Sequence, residues 1–108
     1  MAETKLVVIY PRPKDVDKFE HAYVTEHVPL AKEKIKGVTK FVPTKAVGTP
    51  DGQPAPFYRI AELYFPSLEA LKEAAASAGG QEAVAHAVSI STGGSPIFLI
   101  AEEESMNL

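Results

Sequence analysis

Cysteine is absent from the 108 residues of this chain. Without thiols there is no disulfide, no thiolate nucleophile and no cysteine metal site, a composition that fits a reducing compartment. An excess of basic residues is missing too: 11 Lys and Arg stand against 14 Asp and Glu, and the charges are interspersed. Such a chain has no electrostatic footprint for nucleic acid or an anionic membrane, and neither is expected as a partner. Met1-Ala-Glu-Thr-Lys5 leads into the apolar run Leu6 to Tyr10, too short for a signal core or a membrane span, so a cytoplasmic location is the expectation. No Gly-x-Ser-x-Gly motif and no convincing carboxylate pair occurs, which leaves nucleophilic hydrolysis without support. Gly93-Gly94 precedes a strand rather than a helix, so it reads as a turn and not as a phosphate cradle.

What is present is a chain with 45% hydrophobic residues, enough for a single core and one domain spanning 1–108. Leu6 to Tyr10 is a β-branched and aromatic strand stopped by Pro11 and Pro13. A helix follows from the N-cap Asp15, and Pro29 is expected to end it near His27. Leu30 to Ile35 adds a short turn that Gly37 terminates. Val38 to Val47 reads as a second strand, at an edge or bulged because Pro43 lies within it, and residues 48–56 read as a hairpin loop.

Tyr58 to Phe65 is the third strand, with Tyr58, Ile60, Glu62 and Tyr64 expected on one face. Ser67 caps a second helix whose inward stripe is Leu68, Leu71, Ala75 and Ala78, and Gly79-Gly80 is expected to end it. Gln81 to Val88 resumes as a short helix with Val84, Ala87 and Val88 inward, and the last strand starts at Pro96. The order β-α-β-β-α-β is that of an α+β, ferredoxin-like domain, a four-stranded antiparallel sheet with its helices on one face. Two helices cover one face only, yet the first and last strands are apolar on both sides. The bare face therefore predicts a partner, most simply a second copy in a homodimer.

The first helix carries the chemistry. At about 100° per residue, Val16, Phe19, Tyr23 and His27 share one stripe that is apolar except at its last member, while Asp17, Lys18, His21 and Thr25 point away. An inward histidine beside a helix break is a place where a pocket can open.

The pattern Phe19-x3-Tyr23-x3-His27-x-Pro29-Leu30 after a short strand, the Gly37-Val38 step and Thr92-Gly-Gly-Ser-Pro96 before the last strand resemble the EthD family over nearly the whole chain. The resemblance implies a dimeric α/β barrel, in which two ferredoxin-like sheets pack face to face. It also implies a place among small cofactor-free monooxygenases, cyclases, decarboxylases and isomerases, and a link to catabolism of a branched alkyl ether. Relatives usually carry an aspartate about where this chain has His86, a departure that removes that acid here.

Two readings stand for His27: a general acid or base in a pocket between helices and sheet, or a satisfied core histidine capping its own helix. Tyr23, one turn earlier, either donates to a substrate carbonyl or packs. These two are the catalytic candidates. Tyr10, Phe41 and Tyr64 are strand aromatics that line an apolar cavity where they face the helices, and Glu62 joins them as a substrate-binding candidate. Inside a dry face Glu62 must pair or take up a proton, with Arg59 of the partner subunit, Arg12 or His27 as its candidate partners. His21 and His86 are expected to be exposed, and the six-residue step from His21 to His27 does not suit a helical two-histidine metal site. No metal is expected, and no haem, since no spare inward histidine remains as axial ligand. The function that follows is His-based acid/base chemistry on an apolar carbonyl- or phenol-bearing small molecule. The alternative is a non-catalytic protein that binds a hydrophobic ligand or serves an oxidation pathway as an accessory. An RNA-recognition reading of the same strand order fails, because the third strand lacks the basic, Gly-flanked aromatic signature.

Overall fold

The computed structural model describes residues 3–108. Its elements are β1 (Glu3–Pro11), α1 (Val16–Ala22), a π-helical turn (Tyr23–His27), α2 (Val28–Lys34), β2 (Lys40–Lys45), β3 (Phe57–Phe65), α3 (Leu68–Ala76), α4 (Ala78–Ile90) and β4 (Ile97–Glu103). The four strands form one antiparallel sheet in the order β2-β3-β1-β4. The ferredoxin-like arrangement is thus present, and β2, with Pro43 inside it, is an edge strand.

Register decides which side chains meet the helices. Leu6, Val8 and Tyr10 of β1 sit opposite or beside Leu63, Ala61 and Arg59 of β3 and Ile100 and Phe98 of β4. The core forms there: Val8, Tyr10, Phe19, Tyr23, Leu63, Leu71 and Ala87 are buried together. Strand alternation sends Lys5, Val7 and Ile9, with Ile60, Glu62, Tyr64, Ile97 and Leu99, to the opposite, open face. Tyr58 departs from that alternation. A bulge where Tyr10 and Pro11 skip past it turns its ring toward the helices, against Phe19. The expected grouping of Tyr58 with Ile60, Glu62 and Tyr64 is corrected accordingly.

Asp15 caps α1 as expected, its carboxylate accepting from the Lys18 amide at 3.0 Å. Pro29 does not end the helix. The chain runs on to Lys34 through the π turn, in which the Val28 amide donates to the Tyr23 carbonyl. Pro29 has no N–H to give, and its ring would press on the Thr25 carbonyl in a regular α-helix; the wider turn relieves that contact without stopping the helix.

The helices after β3 are phased differently from the sequence pattern. Ser77 closes α3 and caps α4, its hydroxyl accepting from the Gly80 amide. Gly79 and Gly80 therefore open α4 instead of ending a helix. A Cβ on Gly79 would lie 2.4 Å from the Lys34 carbonyl oxygen and one on Gly80 2.0 Å from that of Ala74, so their absence lets α4 close onto α2 and α3. Starting three residues earlier rotates α4. Ala83 and Ala87 are buried, while Val84 and Val88 are exposed, and likewise Leu71 and Ala74, not Leu68, form the inward stripe of α3.

Candidate functional site

The rotation of α4 brings His86 to His27. Their Nδ1 atoms are 3.0 Å apart, and the rings are parallel within 6° with centroids 5.2 Å apart. Two ring radii plus that one contact account for the centroid separation, so the imidazoles meet edge to edge and nearly in one plane. This is hydrogen-bond geometry, with the lone pair of one ring aimed at the N–H of the other. It suits a shared proton and not a chelated ion, whose ligands converge on a third point. Among the described residues no group of three His, Asp or Glu side chains is placed to hold a metal. The expectation that His86 is exposed is overturned, and with it the premise that no second inward histidine exists.

The other nitrogen of His27, Nε2, lies 3.2 Å from the Tyr10 hydroxyl. On the far side, His86 Nε2 is 3.7 Å from a Glu26 carboxylate oxygen. Exposure falls steadily along this line: the Glu26 side chain is 58% exposed and that of His86 25%, whereas His27 is 8% and Tyr10 0% exposed. The four groups thus run from solvent to the interior.

Burial, and then the neighbouring His86, push His27 down to about 4, so it is neutral at neutral pH. Burial, and then Tyr23, push the Tyr10 phenol upward, so it keeps its proton. Two arrangements of hydrogens satisfy the line. In one, Tyr10 donates to His27 Nε2, His27 Nδ1–H donates to His86 Nδ1, and His86 Nε2–H faces Glu26. In the other, His86 Nδ1–H donates to His27 Nδ1, His27 Nε2–H donates to the Tyr10 oxygen and the Tyr10 O–H is freed toward the core, while the bare His86 Nε2 turns to solvent for a donor, which a carboxylate does not supply.

Tyr10 and His27 border a cavity of about 20 Å³ between helices and sheet, closed by Ala31, Phe41, Leu63 and Phe98 among others. That is room for about one water. A cleft of about 360 Å³ lies outside it, between the end of α2 and the start of β2. The two share Ala31, Ile35, Phe41 and Leu63 as a common wall.

Of the sequence-derived candidates, the structure gathers His27, Tyr10 and Phe41 at this place. Tyr23 lies behind His27, their ring centroids 5.8 Å apart, and the Arg59 guanidinium sits over the Tyr23 ring, 4.9 Å from its centroid. Burial, against the pull of Arg59, pushes its phenol up to about 12, and its hydroxyl is the one buried side-chain polar atom without a partner among the described residues. Glu62 and Tyr64 do not join the site. They lie on the open face, where Lys5 pairs with Glu62 and Glu103, and Tyr64 donates to Glu103. Lys5, from the neighbouring strand, is the partner of Glu62 in place of Arg59, Arg12 or His27. Arg59 instead pairs with Glu20 within the chain. Sequence reasoning missed His86, Glu26 and the Arg59–Glu20 pair; the small residues Ala83 and Ala87, spaced to face a close neighbour, were the signal that would have fixed the phase of α4.

Comparison with known proteins agrees with this fold. The EthD domain matches residues 12–88. The chain belongs to the EthD family. It is 33% identical over 99 residues to an uncharacterised 11.0 kDa protein from the thcB–thcC intergenic region of Rhodococcus erythropolis, covering 92% of this chain and 94% of that one. The crystal structure of an EthD family protein from Bacillus halodurans superposes with a TM-score of 0.87 at 30% identity, over 94% of this chain and 99% of that one. A dimeric protein of unknown function and ferredoxin-like fold from Bacteroides fragilis shares the fold, with a TM-score of 0.66 at 15% identity over 94% and 96% of the two chains. In this EthD chain the buried Tyr10–His27–His86 line lies between sheet and helices, inside or next to the matched segment.

Proposed function

We propose that this EthD protein is an enzyme that moves protons on a small, apolar, carbonyl- or phenol-bearing molecule. Tyr10 and His27 meet the substrate, and His86 and Glu26 link them to solvent. The observation that carries this reading is the continuous line Tyr10–His27–His86 with Glu26 at its outer end. A merely structural histidine needs one backbone partner; here both nitrogens of a buried ring are spent on titratable side chains.

The line works in either direction. As a base, Tyr10 takes a proton from the substrate carbon or hydroxyl while its own passes to His27 Nε2. The Nδ1 proton of His27 moves to His86, and the Nε2 proton of His86 leaves through Glu26. As an acid, the same hops run inward and deliver a proton to a developing oxyanion. Each imidazole ends with the one proton it began with, on its opposite nitrogen, and Tyr10 exchanges one hydroxyl proton for another, so no charge is left stranded on them in the core. Side chains of the chain itself suffice for this chemistry.

The test is exchange of α-protons of a panel of ketones and β-dicarbonyls in deuterium oxide, followed by NMR. Wild type exchanges at least one member, Tyr10→Phe and His27→Ala abolish the exchange, and His86→Ala slows it. Binding without any exchange would instead support a ligand-binding accessory, a reading favoured by the closed wall at Ile35 and Phe41.

We infer also that the working form is a homodimer built on the open sheet face. Ile97 and Leu99 are 42% and 48% exposed there, beside Val7, Ile9 and Ile60 on neighbouring strands. Face-to-face packing would cover this surface, and the Bacteroides fragilis protein of similar fold is described as dimeric.

A further inference from the structure

The cleft of about 360 Å³ has an uneven lining. Ala31, Ile35, Phe41 and Leu63 make an apolar floor, and Lys32, Lys36 and Lys40 stand at its rim, Lys40 being drawn to the Tyr64 ring with its ammonium 4.7 Å from the ring centroid. No carboxylate lines it, and none of these three lysines has an ion-pair partner among the described residues, whereas Lys34, between Lys32 and Lys36, pairs with Glu82 at 3.7 Å. Its size falls in the range of small-molecule sites. The floor is also the wall of the cavity that holds Tyr10 and His27. Ala31 and Leu63 are buried, but Ile35 and Phe41 are only half-buried, so these two side chains are the part of the shared wall with room to turn aside.

From this we infer that the molecule accepted by the EthD site is an amphiphilic monoanion. Its carboxylate rests between Lys32 and Lys36, and its apolar body lies over Ile35 and Phe41, with the far end toward His27. The inference names a substrate class and rests on the acid/base reading above. Lys32, in the last turn of α2, also offsets the helix dipole, but that role asks neither for a cleft nor for an apolar floor, and Lys36 lies beyond the helix. Charge at the mouth and an oily interior together select against cations and against small, fully polar anions.

The experiment measures binding of octanoate, 1-octanol and octyltrimethylammonium below their micelle concentrations, by NMR shift mapping on the full chain. Octanoate is expected to bind tightest, to shift Ala31, Ile35, Phe41 and Leu63, and to weaken as salt is added. Lys32→Gln with Lys36→Gln is expected to cost octanoate roughly tenfold in affinity while leaving octanol unchanged. Equal binding of octanoate and octanol, shifts clustered elsewhere, or a double variant that keeps the preference would each overturn the inference. His27→Ala separates the two readings: it should keep octanoate binding while losing α-proton exchange. If octanoate selectivity holds but exchange does not depend on His27, the catalytic reading fails and the anion site stands.

Discussion

His27 and His86, 59 positions apart in the chain, bring their Nδ1 atoms to 3.0 Å. Only one proton fits on that line, so the two rings cannot both be charged without breaking it. The consequences for titration, stability and access are measurable.

Replacing His86 by Asp puts a carboxylate where a ring now presses against His27. An opposite charge favours the imidazolium, so the midpoint of His27, now about 4, should move upward by a unit or more. Nitrogen-15 NMR titration of the ring reads this directly; an unmoved midpoint would mean that the two rings are not in contact in solution. His86→Leu should instead destabilise the fold by about 1–3 kcal/mol, since it leaves a buried ring nitrogen unpaired.

Acid should weaken the fold through His27. Its ring takes up a proton near 6.5 when unfolded but only near 4 in the fold, so the unfolded chain binds more protons across that window. The contribution is complete above the window and falls by up to roughly 3 kcal/mol as pH drops through it. Urea denaturation at stepped pH should show this decline in the wild type, and His27→Gln should lack it.

If the open face carries the proposed dimer, the wild type should sediment as a dimer and a glutamate at Leu99, on that face and 48% exposed, should leave a monomer at the same concentration. A folded, dimeric Leu99→Glu would place the interface elsewhere.

Phe41→Ala should merge the cleft and the inner cavity and cost about 2 kcal/mol, less than a full core truncation because the ring is half-buried. Toluene is the useful probe. It should shift the ring resonances of Tyr10 and His27 in the variant far more than in the wild type.

Gly80→Ala should cost at least about 2 kcal/mol, because the new methyl meets the Ala74 carbonyl oxygen at 2.0 Å. As His86 rides on α4, the shift should also loosen the pair, visible as faster exchange of the shared ring proton.

The fold was legible because its signals are local and mutually consistent. Asp15 and Ser67 cap the helices they were expected to cap, and the Phe19–Tyr23–His27 stripe is buried as helical spacing requires. The failures come from places where tertiary contact overrides local chemistry. Gly79-Gly80 reads as a stop in one dimension, but in three it is a gap into which Lys34 and Ala74 carbonyls fit. That error shifted the phase of α4 and hid His86. Pro29 reads as a terminator in the sequence, yet one wide turn accommodates it. Tyr10 was recognised as a candidate, but its face, like that of Glu62 and Tyr64, depends on strand register, which no single strand reveals.

The sheet order leaves β2 and β4 at the two margins, each with one side unpaired among the described residues. Both margins carry discouragement: Lys40, Pro43 and Lys45 on one, Glu102 and Glu103 on the other. Charged side chains along each rim and, on β2, a proline without an amide hydrogen keep strands of separate molecules from zipping together side by side. In the proposed dimer association is left to the flat of the sheet and closes after two copies, so concentrated solutions should hold discrete particles in place of ribbons or fibres.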